Sequence, residues 1–77
     1  MSVRGKKVLV LGLSKSGIAA ARFAKKHGAD VYLTEYNDVT TKEKSDEVKS
    51  LEDYGIHVEY GGHSQEFISK SDFEINS

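Results

Sequence analysis

The run Lys7-Val8-Leu9-Val10-Leu11, stopped by Gly12 and followed five residues later by Gly17, constrains the fold more than any other stretch of this chain. Apolar residues without alternation mark a strand covered on both faces, as in a parallel sheet flanked by helices. Beyond the turn, Ile18 to His27 holds no helix breaker, and Gly17, Ala20, Ala21 and Ala24 repeat at i, i+3, i+4 and i+7. A stripe of small residues lets a helix lie close against a sheet. Lys25, Lys26 and His27 close the last turn, where positive charge suits the helix dipole, and Gly28 supplies the C-cap.

The remainder continues the alternation. Asp30 to Thr34 is a second strand, rich in β-branched and aromatic residues. Tyr36 to Asp38 turn the chain, and a helix is expected from Thr41 to Tyr54 with Asp38 or Thr40 as N-cap. Its apolar stripe is little more than Val48 and Leu51, and its many charges read as a solvated face. After Gly55, Ile56, Val58 and Tyr60 alternate with His57 and Glu59, the pattern of a half-exposed strand near a sheet edge. Gly61-Gly62 turns again, Ser64 to Lys70 suggests a short helix capped by Ser64, and Asp72 to Ser77 reads as a fourth strand. Parallel strands joined by right-handed crossovers give a Rossmann-like α/β sheet of about four strands, order 3-2-1-4, with helices on both faces. Seventy-seven residues make one such domain with a thin core, 1–77, and leave no room for a second. The chain stops at the end of a strand, so a fragment of a longer protein is expected.

The constellation that carries chemistry is Gly12-Leu13-Ser14-Lys15-Ser16-Gly17, a G-x-S-x-x-G between a buried strand and a helix. Gly12 permits the tight structural turn, the helix N-terminus offers unpaired N–H groups and partial positive charge, and Gly17 permits close packing. Ser14 stands where a dinucleotide fingerprint has its middle glycine, so its side chain blocks the closest approach of a pyrophosphate. Ser14 and Ser16 instead offer hydroxyl donors to phosphate oxygens, and Lys15 offers charge or is simply solvated. Glu35, 23 residues after Gly12, ends the second strand, where a carboxylate meets a ribose hydroxyl or a base N–H. No basic residue follows directly, which argues against a 2′-phosphate.

Composition removes other classes. Eleven Lys+Arg against twelve Asp+Glu give a net charge of −1, without the basic stripe of a nucleic-acid module. No apolar run is long enough to span a membrane, and no signal h-region opens the chain. With no cysteine there is no disulfide framework or thiolate zinc site, and a reducing compartment is the simplest setting. His27, His57 and His63 lack ligand spacing and read as surface or turn residues, so no metal is expected. Neither a G-x-S-x-G elbow nor a G-x-x-x-x-G-K-[ST] loop is present.

The stretch Gly5-Lys6-Lys7-Val8-Leu9-Val10-Leu11-Gly12-Leu13-Ser14-Lys15-Ser16-Gly17-Ile18-Ala19-Ala20-Ala21-Arg22-Phe23 resembles the opening of the Mur ligases, whose first domain begins G-K-x-V-x-V-x-G-x-G-x-S/T-G. Gly28-Ala29-Asp30-Val31, Glu35, Gly61-Gly62-His63 and Asp72-Phe73 fit the same family, and Ser77 would open its S-P-G-I segment. The resemblance implies the N-terminal domain of a cytoplasmic, ADP-forming amide ligase of peptidoglycan synthesis, which joins D-glutamate to UDP-N-acetylmuramoyl-L-alanine. ATP and magnesium would serve the full-length enzyme, through central ATPase and C-terminal ligase domains absent here. No cofactor is expected in this chain, which would be inactive alone. The resemblance further implies that Lys15 and Ser16 face the substrate's diphosphate, beside Ser14 and Gly17. Glu35 would accept from the uracil ring N–H, with Tyr36 and Asn37 lining that pocket. The family has glycine more often at Ser14 and aspartate more often at Glu35. A regulatory NAD(H)-binding Rossmann module is the alternative reading, and a structural domain dimerising through its fourth edge strand is a third.

Overall fold

The computed structural model describes residues 2–76. Strands β1 (Lys7–Leu11), β2 (Asp30–Glu35), β3 (His57–Tyr60) and β4 (Phe73–Asn76) alternate with helices α1 (Lys15–Lys26), α2 (Lys42–Asp53) and α3 (Gln65–Ile68). All pairings are parallel and the strand order is β3-β2-β1-β4, as the crossover argument requires. Val8 and Val10 of β1 lie in register with Val31 and Leu33 of β2. Together with Ala21 and Ala24 of α1 and Val48 and Leu51 of α2, they form the buried core. On the opposite face Leu9 pairs with Tyr32, and Phe67 of α3 meets the Tyr32 ring edge-on at 5.2 Å. Lys7 Nζ donates to the carbonyls of Ser69 at 2.7 Å and Glu66 at 3.3 Å, fixing the end of that short helix.

Several boundaries differ from the sequence expectation, each for a local reason. Helix α1 begins at Lys15 rather than Ile18, because Ser14 is its N-cap: Ser14 Oγ accepts from Gly17 N–H at 3.1 Å. Helix α2 is capped by Thr41, whose Oγ1 accepts from Lys44 N–H at 3.2 Å, and neither Asp38 nor Thr40 takes that place. Strand β2 ends at Glu35, and β3 starts at His57, one residue after Ile56. Helix α3 is shortened to four residues, and β4 begins at Phe73; Ser77 lies outside the described residues.

The C-cap of α1 is His27, with Gly28 one position beyond it at φ +92°. Gly28 N–H donates to Lys25 O and Ala29 N–H to Ala24 O, the two bonds of a Schellman motif. A Cβ on Gly28 would lie 3.1 Å from Arg4 Cγ. Gly28→Ala is therefore expected to cost about 1 kcal/mol, the penalty for left-handed backbone in a non-glycine residue. Urea unfolding with a midpoint equal to that of the unsubstituted protein would contradict this.

Candidate functional site

The strand ends and the first helix meet at one edge of the sheet. Gly12, at φ +108°, leaves β1 sharply, and its N–H donates to Thr34 O at 2.9 Å. Residues 13 and 14 then lead into α1, with Lys15 and Ser16 in its first two positions, where an amide has no intrahelical acceptor. Both side chains are exposed, and Gly17 is buried behind them. Ser14 Oγ and Ser16 Oγ lie 3.3 Å apart. Accepting from Gly17 N–H leaves the Ser14 hydroxyl its own proton, so its capping bond and a donation outward are compatible.

Glu35 bridges this turn to the one that follows β2. Its Oε1 accepts from Leu13 N–H at 2.7 Å, and its Oε2 accepts from Asn37 N–H at 2.9 Å. The Leu13 bond is the main reason its carboxyl titrates below the ordinary 4.5; burial opposes, and Asn37 N–H, Lys44 and His63 add to the lowering. Each oxygen still has a lone pair. The two ends of the candidate site, turn and strand terminus, are thus held by one side chain. Tyr36 and Asn37 follow it, both exposed.

Sequence reasoning missed Lys44 in this setting. It counts among the charges of a solvated helix, yet its Nζ donates to Leu13 O at 3.2 Å and its charge reaches Glu35. A cavity of about 260 Å³ opens between α1 and α2 here, lined by Leu13, Ser14, Lys15, Ile18, Lys44 and Glu47. Thr34 and Glu59 are further members that no local pattern announces. Thr34 is fully buried, with its Oγ1 3.2 Å from Glu59 Oε1 and 2.7 Å from His63 Nδ1. Glu59 also accepts from Ser64 N–H at 2.8 Å, the leading cause of its own lowered pKa.

A larger groove of about 460 Å³ lies elsewhere, beside β4, lined by apolar groups such as Val3, Phe23, Phe73 and Ile75. It offers almost no polar group for a charged ligand, so the turn remains the candidate site. Among the described residues no group of three or more His, Cys, Asp or Glu is placed to hold a metal ion. No helix there is long and apolar enough to cross a membrane.

No protein-family model matches the chain. It is 43% identical over 74 residues to the UDP-N-acetylmuramoylalanine–D-glutamate ligase of Ligilactobacillus salivarius, covering 96% of this chain and 16% of that enzyme. The ligase of the same name from Geotalea daltonii is 36% identical over 77 residues, covering 100% of this chain and 17% of the enzyme. That of Acidobacterium capsulatum is 39% identical over 77 residues, with 100% and 16% covered. The chain therefore spans about one sixth of the length of the curated relatives it matches. Identity of 36–43% across 96–100% of this chain shows that it belongs to the UDP-N-acetylmuramoylalanine–D-glutamate ligase family.

Proposed function

We propose that this chain is the N-terminal domain of a ligase that adds D-glutamate to UDP-N-acetylmuramoyl-L-alanine in the cytoplasm, and that it holds the UDP part of that substrate. The observation that carries the reading is the N-terminus of α1, with the first-turn amides of Lys15 and Ser16, tied through Glu35 to the end of β2. A diphosphate placed at that helix end meets N–H donors and the positive end of the dipole, supplemented by the Ser14 and Ser16 hydroxyls and the Lys15 charge. Gly17 lets the helix approach the sheet. Glu35 uses its remaining lone pairs on the uridine, with Tyr36 and Asn37 beside it. ATP and magnesium, which an ADP-forming ligase needs, would act from parts of the enzyme outside this chain, which has no turnover of its own.

Calorimetric titration with UDP tests the reading. Ser16→Ala is expected to weaken binding by about 1–2 kcal/mol, the usual range for a hydrogen bond to a charged group. An affinity equal to that of the unsubstituted protein would place the diphosphate elsewhere. Binding of NADH instead of UDP would favour a redox-sensing module, a reading against which the Ser14 side chain stands.

A further inference from the structure

The two peptide groups that lead into α1 are each clamped from outside the turn. The first, between Gly12 and Leu13, has its N–H held by Glu35 Oε1 at 2.7 Å. The second, between Leu13 and Ser14, has its carbonyl held by Lys44 Nζ at 3.2 Å. A trans peptide is planar, and its C=O and N–H point in opposite directions. Holding Leu13 O toward α2 therefore turns Ser14 N–H away from α2. That N–H has no hydrogen-bond partner among the described residues. The next two amides, of Lys15 and Ser16, open the helix without an intrahelical acceptor.

The start of α2 is arranged to aim the lysine. In a parallel sheet the helices that follow β1 and β2 begin at the same edge, so the first turn of α2 stands beside that of α1. Thr41 Oγ1 accepts from Lys44 N–H at 3.2 Å, which fixes Lys44 in that first turn. Glu47, its natural helical partner at i+3, pairs with Arg22 of α1 at 3.2 Å instead. Among the described residues Lys44 makes no salt bridge, and the hydrogen bond its Nζ donates goes to Leu13 O.

Resting on the reading that this edge holds a uridine diphosphate, we infer that Lys44 is a positioning residue for the diphosphate: its ammonium fixes the Leu13–Ser14 peptide, and with it the direction of the amides that meet the phosphate oxygens. Glu35 and Lys44 act on consecutive peptides, so each locks a plane the other leaves free to turn. Without Lys44 the second plane has to be ordered at every binding event, and that ordering cost is subtracted from affinity. The lysine acts through Leu13 and does not touch the ligand. Uridine, which carries no phosphate, binds independently of it.

The test titrates UDP and uridine into the ¹⁵N-labelled full chain and into Lys44→Met, which keeps an apolar stem and removes the donor. UDP affinity is expected to fall about 3- to 10-fold in the variant, the range for one lost hydrogen bond, with uridine affinity unchanged. In unsubstituted protein labelled with ¹³C and ¹⁵N, the scalar coupling across the bond from Lys44 Nζ to the Leu13 carbonyl is expected to persist at saturating UDP. Loss of that coupling when UDP binds would make Lys44 a phosphate ligand and overturns the inference. Unchanged UDP affinity in Lys44→Met, or an equal loss for uridine, overturns it while leaving the UDP site standing. Failure of UDP to move any amide from Gly12 to Gly17 in the unsubstituted protein overturns the UDP reading and this inference with it.

Discussion

Leu33→Ala is expected to destabilise the domain by about 3–5 kcal/mol, enough to leave much of the chain unfolded at growth temperature. Leu33 is completely buried on β2, between Val10 of β1 and Val58 of β3, under the helices of the larger core. Truncating a leucine at such a site costs the transfer of the lost methyls plus the cavity left behind, about 2–5 kcal/mol. Strand neighbours on both sides keep the backbone from collapsing inward, which places the loss toward the top of that range. At about 0.05–0.15 kcal/mol per residue, a chain of 77 residues has only about 4–12 kcal/mol in total. Urea unfolding followed by far-ultraviolet circular dichroism measures the effect. A loss under about 1.5 kcal/mol would mean that β2 is not the centre of the core.

Glu35→Ala is expected to lower stability by about 2–3 kcal/mol and to remove most UDP binding. The substitution deletes two hydrogen bonds from a carboxylate, to Leu13 N–H and Asn37 N–H. Bonds to charged groups contribute about 1.5–3 kcal/mol each, and partial solvent screening at the sheet edge reduces the sum. Because the folded-state pKa lies below 4.5, the carboxylate's stabilisation is fully present above that value. It is lost as pH falls through the lower folded pKa, since the unfolded state binds the proton first. The stability difference between the unsubstituted protein and Glu35→Gln is therefore expected to shrink on acidification below about pH 4.5. A difference that stays constant from neutral pH down to pH 3 would show that the bridge does not depend on the charge.

The sheet was readable because its evidence is local and redundant. The unbroken apolar run 8–11, the glycine turn and the alternation 56–60 each specify a strand type, and chirality then leaves few orders for four parallel strands. Helix starts were less legible. Gly17 is a poor helix former, and it moved the expected start of α1 past the turn; in the structure it sits in the first turn, capped by Ser14 and buried against the sheet. At α2, Thr40 and Thr41 are adjacent and chemically identical caps, so the pattern alone does not separate them.

The site divides in the same way. Gly12 to Gly17 and Glu35 are separated by a spacing that a strand–helix–strand unit imposes, and a sequence displays spacing. Lys44 and the Thr34–Glu59–His63 cluster come together only through the packing of α2 and the return from β3. Nothing in the order Gly61-Gly62-His63 states that its turn is laced to Glu35 and Asn37; that follows from the register of β2 with β3. The second carboxylate function, bridging two amides, was equally invisible, since a strand-end acid looks alike whether it faces ligand or backbone.

The claim that one sheet edge holds a uridine diphosphate is tested most directly by following the backbone amides of the ¹⁵N-labelled chain during titration with UDP and, separately, with NADH. The account predicts that UDP shifts the amides from Gly12 to Gly17 and those of Glu35 to Asn37, with the amides of β4 unmoved and NADH without effect. Shifts with NADH alone, or UDP shifts confined to the groove beside Phe73 and Ile75, would contradict it.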